Sequence, residues 1–199
     1  MKRSGFTLIE LLGVLAVVGL LAVILVPSLT TGLAKARRAQ CLNNLRSLGS
    51  VMSAYGADHR GKMPSVGSGG DYETLTAMVK GLYEDEYLES FEVLACPTDD
   101  GRTACRGNDA DAFSSKSHCS YVYFEGYNPL KADGDLNRLP LFCDRARSGG
   151  KGTLTEKDNH GTKYRNVVYL GGNAVTLRSV DEANGVVNTK LPDGVSLVE

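Results

Sequence analysis

From Phe6 to Ala34 this chain carries one charged residue, Glu10, and residues 11–29 carry none. An α-helix rises about 1.5 Å per residue, so such a run covers a hydrocarbon core of roughly 30 Å. A segment this apolar keeps no face for water, which leaves a membrane span or a cleaved secretory signal. The signal reading has Lys2 and Arg3 as a basic start and Thr30, Thr31 and Gly32 as small residues near a cut. The run is longer than the roughly 7–15 apolar residues of a signal core, and a carboxylate lies just inside it. In lipid that carboxylate costs a few kcal/mol unless it is paired, so Glu10 marks function. The remainder is hydrophilic and of a size for one domain. With 22 Lys+Arg against 23 Asp+Glu the chain has no basic excess, which argues against a binder that lives by phosphate contacts, and no nucleic-acid partner is expected. A charged content of 23% is too low for a solvated disordered chain.

The start of the apolar run has a recognisable order. Lys2-Arg3-Ser4-Gly5-Phe6-Thr7-Leu8-Ile9-Glu10 resembles the processing motif of type IV prepilins and type II secretion pseudopilins: a short basic leader, Gly, an aromatic residue, then Thr-Leu-Ile-Glu. The resemblance implies that a membrane-embedded prepilin peptidase cuts between Gly5 and Phe6 and that Phe6 is then N-methylated. It also implies that Glu10 neutralises the N-terminal amine of a neighbouring subunit during assembly, which agrees with the need of a carboxylate in lipid for a cation. Gly13, Gly19 and Pro27 lie within the span. Pro removes a backbone donor and small residues permit close helix approach, and the family loosens its helix at positions like Gly19 and Pro27 inside the filament. Basic residues flank both ends, Lys2 and Arg3 before and Lys35, Arg37 and Arg38 after, so charge alone does not orient the span. The resemblance places the N-terminus in the cytoplasm and the body in the periplasm.

Beyond the span, Cys41, Leu45, Leu48, Met52 and Tyr55 recur at steps of four, three, four and three, the spacing of one apolar stripe on a helix. Arg37, Arg38, Asn43, Asn44 and Arg46 fall largely off it, and Gly56 with residues 58–61 supplies a stop. One helix over residues 6–55 is expected, its first half facing lipid and its second half packing on a head. The expected division is a leader at 1–5, a transmembrane half-helix at 6–31, an amphipathic half at 32–57 and a periplasmic head at 58–199. In the head, residues 74–88 have helical spacing, while 91–95, 121–124 and 139–143 are short apolar runs suited to strands. Residues 166–170 and 174–177 read as a hairpin around Gly171-Gly172-Asn173, which tolerates positive φ. Residues 65–70 and 145–152 read as surface loops, and the apolar residues of 184–199 favour docking over a free tail. The expected fold is α+β, with one long N-terminal helix packed on a small antiparallel sheet, the pilin architecture that the resemblance also implies.

Leu94-Ala95-Cys96-Pro97-Thr98-Asp99 is similar to the Cys-Pro-Ser/Thr-Asp segment of a large pseudopilin group, and Asn159-His160-Gly161 with Asn166-Val167-Val168-Tyr169-Leu170 to that group's C-terminal His-x9-Asp-Gly element. Here the Asp-Gly is replaced by Gly171-Gly172. His160 reads as a turn-capping or loop-packing residue. In an oxidising compartment Cys96, Cys105, Cys119 and Cys143 are expected to form two disulfides, with Cys41 as a small core hydrophobe, a partner swap being the alternative. Three pairings are open. Zinc ranks low because no Cys-x-x-Cys or paired-His spacing occurs, so no metal is expected. Asp133, Asp135 and Asn137 alternate like the first half of a calcium loop, with Asp144 at its twelfth position, but Arg138 replaces the needed Gly and Pro140 interrupts the loop, so a polar turn is favoured. The family's major subunits use calcium in a C-terminal loop, which keeps calcium as a minority reading.

These features imply a structural subunit, more a secretion pseudopilin than an adhesive pilin. It would polymerise with itself and with other pseudopilins on an inner-membrane assembly platform driven by a cytoplasmic ATPase, and would end in a periplasmic or extracellular filament. The alternative is a membrane-tethered module whose head recognises a glycan, DNA or an exported substrate. An anchored enzyme using His160 or Asp99-Asp100 lacks a nucleophile–base motif.

Overall fold

The computed structural model describes residues 7–65, 72–99, 101–125, 135–145, 160–161, 164–178 and 196–198. It divides into two compact units, Met1–Ala36 and Arg37–Glu199. Helix α1 (Leu8–Asp58) contributes to both.

In the first unit α1 is apolar on every side. In the second it is amphipathic: Cys41, Leu45, Leu48, Gly49, Met52 and Gly56 are buried, the stripe read from the spacing, with Tyr55 half-buried at its end. Arg38, which falls off the stripe, is half-buried and stacks its guanidinium 3.5 Å from the centre of the Tyr164 ring. The helix stops as the glycines predict. Arg60 and Gly61 take positive φ (56° and 76°), and the Gly61 N–H donates to the Gly56 carbonyl at 2.7 Å, satisfying a carbonyl the helix leaves open.

Among the described residues five strands form one antiparallel sheet: β1 (Tyr121–Glu125), β2 (Pro140–Asp144), β3 (Arg165–Tyr169), β4 (Ala174–Leu177) and β5 (Ser196–Val198), in the order β4-β3-β2-β1-β5. Alternate side chains point to opposite faces, yet Tyr121, Val122, Tyr123 and Phe124 are all buried, so β1 is covered on both. Sheet and helix meet where α1 has no side chain, since a Cβ on Gly49 would lie 2.8 Å from Val168 Cγ2. The Tyr121 hydroxyl reaches the Cys41 carbonyl at 3.5 Å. The expected α+β arrangement is therefore the observed one. The β3–β4 hairpin closes as read, with Gly172 at φ 85° and its N–H on the Tyr169 carbonyl.

Four expectations change. Helix α2 is Tyr72–Glu84 and stops four residues before Leu88, which is buried in the following turn. Residues 91–95 are not a strand: Phe91–Leu94 form a 3₁₀ turn in which the Ser90 hydroxyl accepts the Glu92 N–H. Arg145 is not in a surface loop but 3% exposed, its N–H on the Ser120 carbonyl and its guanidinium on the Tyr121 carbonyl. The disulfides differ as well. Cys41 bonds Cys96, while Cys105, Cys119 and Cys143 are buried free thiols. The reason is positional: the stripe points Cys41 into the head, and the turn at Phe91–Leu94 delivers Cys96 to it. The Asn44 side-chain amide fixes that delivery by donating to the Ala95 carbonyl at 3.0 Å. Of residues 184–199 only β5 is described, and it docks on β1. Residues 66–70 and 146–152 lie outside the described residues.

Candidate functional sites: the N-terminal helix and a buried cysteine-histidine cluster

Gly5 and Phe6 lie outside the described residues. Just after them, Thr7 and Glu10 form a reciprocal cap: Glu10 Oε2 accepts the Thr7 N–H at 2.9 Å and its hydroxyl at 2.7 Å, and the Glu10 N–H donates to Thr7 Oγ1 at 3.4 Å. Two of the donors that every helix start leaves open are satisfied by this Thr-x-x-Glu pattern. Glu10 therefore has a local role in the single chain, legible in the sequence as a capping box and missed there because the motif had already drawn the carboxylate into assembly. The apolar side chains that follow, Leu8 to Leu33, are all more than half exposed. Among the described residues one helix, Leu8–Asp58, is long and apolar enough to cross a membrane. The helix runs unbroken through Gly19 and Pro27, and no atom lies within 4 Å of a Cβ built at Gly13 or Gly19. Around Pro27 the hydroxyls of Ser28, Thr30 and Thr31 donate to carbonyls three or four residues back, as polar side chains do where water is scarce.

The second site is buried in the head. His160, whose side chain is 2% exposed, places Nε2 3.6 Å from Cys96 Sγ and 3.5 Å from Asp144 Oδ2. Its Nδ1 is 3.3 Å from Thr98 Oγ1, which itself sits 3.0 Å from Cys96 Sγ. Thus the Cys96-Pro97-Thr98-Asp99 segment and His160, two separate resemblances in the sequence, meet in space, with α1 adding Cys41 through the disulfide. His160 packs against the head, as read, but its contacts are with this cluster. Asp144, at the end of β2 and 2% exposed, accepts the Asn166 N–H on Oδ2 at 2.7 Å, while its buried Oδ1 has no hydrogen-bond partner. Burial pushes Asp144 up to about 7 against the opposing pull of that N–H and of the Arg165 charge. Burial, aided by the Arg38 charge, pushes His160 down to about 4. Asp99 is held by Arg102 at 3.6 Å.

The sequence offers Asp144 only as the twelfth position of a calcium-loop count from Asp133, and that count carries nothing about its place beside His160. The free thiols are chemically quiet: burial pushes Cys143 up to about 12 and raises Cys119 and Cys105, which disfavours thiolates. Of the calcium candidates, Asp133 lies outside the described residues. Asp135 Oδ1 accepts the backbone and side-chain N–H groups of Asn137, both at 3.0 Å, in a turn of its own. Gly171, where the related group has its Asp-Gly, presses on that turn: a Cβ there would lie 2.5 Å from Asn137 Oδ1.

A Thr-capped apolar helix that continues as the core helix of an α+β head defines a pilin-type structural subunit anchored by its N-terminus. The family model described as "Prokaryotic N-terminal methylation motif" matches residues 1–26. The chain is 34% identical over 65 residues to the ComG operon protein 3 homolog of Bacillus licheniformis, a stretch covering 33% of this chain and 67% of that protein. No solved structure matches. The chain belongs to the prepilin-type, type IV pilin-like family.

Proposed function

We propose that a prepilin peptidase cleaves the chain between Gly5 and Phe6 and methylates Phe6, and that the product polymerises through α1 into a type II secretion pseudopilus-like filament. It assembles with copies of itself and with other pseudopilins at an inner-membrane platform, N-terminus cytoplasmic and head periplasmic, and acts as a structural subunit rather than a catalyst. The observation that carries this reading is the match at residues 1–26 joined to a helix whose apolar side chains are exposed along Leu8 to Leu33. In a filament those side chains find partners on neighbouring helices, and Glu10 exchanges its Thr7 contacts for the amine of the next Phe6. Gly19 and Pro27 are where the helix loosens as subunits pack.

The test is intact mass and N-terminal sequence of the protein from membranes containing the cognate peptidase, with sedimentation of filaments from wild type and Glu10→Ala. A chain beginning at N-methylated Phe6, with filaments lost in Glu10→Ala, is expected. A chain beginning at Met1, or filaments indifferent to Glu10, would replace this reading by a tethered module whose head binds an exported substrate.

A further inference from the structure

Three donor atoms from distant parts of the sequence converge in the head. Cys41 Sγ, Cys96 Sγ and a ring nitrogen of His160 all lie within 4.8 Å of one another, and Asp144 Oδ2 lies 3.5 Å from the same His160 Nε2 that faces Cys96. A nucleophile–His–acid relay uses opposite ring nitrogens for its two partners. Here the sulfur and the carboxylate both face Nε2, while Nδ1 is taken by Thr98, which is how a histidine is oriented to present one nitrogen to a metal. Zinc bonds of about 2.3 Å to sulfur and about 2.0 Å to nitrogen or oxygen, at tetrahedral angles, set donor-to-donor edges of roughly 3.3–3.6 Å. The Cys96–His160 separation of 3.6 Å is such an edge. A cleft of about 470 Å³ lined by Gln40, Asn44, Asp99 and Arg102 reaches Cys96.

We propose that Cys41, Cys96 and His160 are three ligands of a zinc site held shut by the Cys41–Cys96 disulfide, with water in the fourth position, so that the reduced chain binds one zinc ion and the oxidised chain binds none. A dithiol or a phosphine opens the site. Two electrons from it break the S–S bond and two protons complete two thiols, while the dithiol becomes a disulfide or the phosphine, with water, its oxide. Zinc then displaces the thiol protons to solvent. Two thiolates, a neutral imidazole and Zn²⁺ sum to no net charge, with Asp144 as a neighbouring carboxylate 3.5 Å from His160 Nε2. The inference is independent of whether the chain forms filaments.

The test uses the full chain in detergent, oxidised or reduced by a phosphine without oxygen, with Co²⁺ as the optical probe and Zn²⁺ in competition with a chromogenic chelator. Reduced wild type is expected to take up one ion per chain, with thiolate-to-cobalt charge transfer and tetrahedral d–d bands. Its melting temperature should rise with zinc concentration, as mass action requires. His160→Gln should weaken zinc about 100-fold or more, since even an outer partner of a metal ligand is worth about 10–100-fold. Equal uptake by oxidised and reduced chains would overturn the proposal, as would cobalt spectra without thiolate bands or undiminished uptake by Cys41→Ser/Cys96→Ser. Should that double variant not fold, His160→Gln decides: it retains the disulfide, its fold is checked by circular dichroism before reduction, and wild-type affinity in it rejects the site.

Discussion

Helix α1 is one element with two sets of surroundings. Before Ala36 its leucines and valines are more than half exposed; from Arg37 onward only one stripe is apolar, and that stripe is buried. The backbone is the same in both, so the difference lies in what the side chains are offered. A helix apolar all round needs lipid or other helices, whereas a striped one needs a single partner surface. The consequence is that a substitution in the first stretch is read in insertion and assembly, and the same substitution in the second is read in the stability of the head.

The largest stability effect belongs to the disulfide, which ties the second stretch to the head across 55 residues of sequence. A loop that long is worth about 4 kcal/mol by loop entropy, within the usual range of about 2–5 kcal/mol. Cys96→Ser should lower the urea midpoint of the head accordingly, whereas Cys105→Ser, which breaks no bond, should cost clearly less. Next comes the stripe. Leu45→Ala, at a fully buried position, should cost about 2–5 kcal/mol. Leu20→Ala, at a position 64% exposed, should leave the midpoint within about 0.5 kcal/mol. Equal losses for the two would erase the distinction between the stretches.

A glycine-to-alanine pair sharpens the comparison because its sign should reverse. At Gly49 the new Cβ meets Val168 Cγ2 at 2.8 Å, and a β-branched side chain has little freedom to give way, so a loss of about 1–3 kcal/mol is expected. At Gly19 the space is open, and alanine gains up to about 1 kcal/mol of helix propensity. Thermal melts of the two variants in detergent check the signs, and any cost of Gly19→Ala should show only in filament yield.

What the sequence disclosed follows the same line. The stripe from Cys41 to Tyr55, the stop near Gly61 and the turn at Gly172 are local, written in spacings of three and four or in residues that accept positive φ. The Thr7–Glu10 cap is equally local. The apolar run at 91–94 was ambiguous between strand and turn at that length, and Ser90 as a cap settles it only once the fold is known. Disulfide pairing and the cluster around His160 are non-local. Cys41, Cys96, Asp144 and His160 come together because a helix, a turn, a strand and a loop pack, and no spacing between them carries that information. The absence of Cys-x-x-Cys spacing therefore argued against a compact local motif only, not against donors assembled by the fold.

The smallest effect concerns the buried pair in the oxidised, metal-free head. Asp144, at about 7 in the fold and about 3.9 unfolded, contributes stability that is fully present below about pH 3.9 and is lost as pH rises through about 7. His160, at about 4 in the fold and about 6.5 unfolded, contributes stability present above about pH 6.5 and lost as pH falls through about 4. Between roughly pH 4 and 6.5 the two slopes oppose each other, because folded and unfolded chains both hold one proton on the pair. The groups that face the pair are Arg38, Arg165 and Asp99, the last tied to Arg102. Urea midpoints of wild type should therefore be nearly flat with pH here. Asp144→Asn leaves the histidine alone, so stability should fall toward pH 4; His160→Gln leaves the acid alone, so stability should fall toward pH 7. Each slope is bounded at about 1.4 kcal/mol per pH unit, the value for one proton. Slopes of the same sign in the two variants would mean that Asp144 and His160 do not share a proton in the fold.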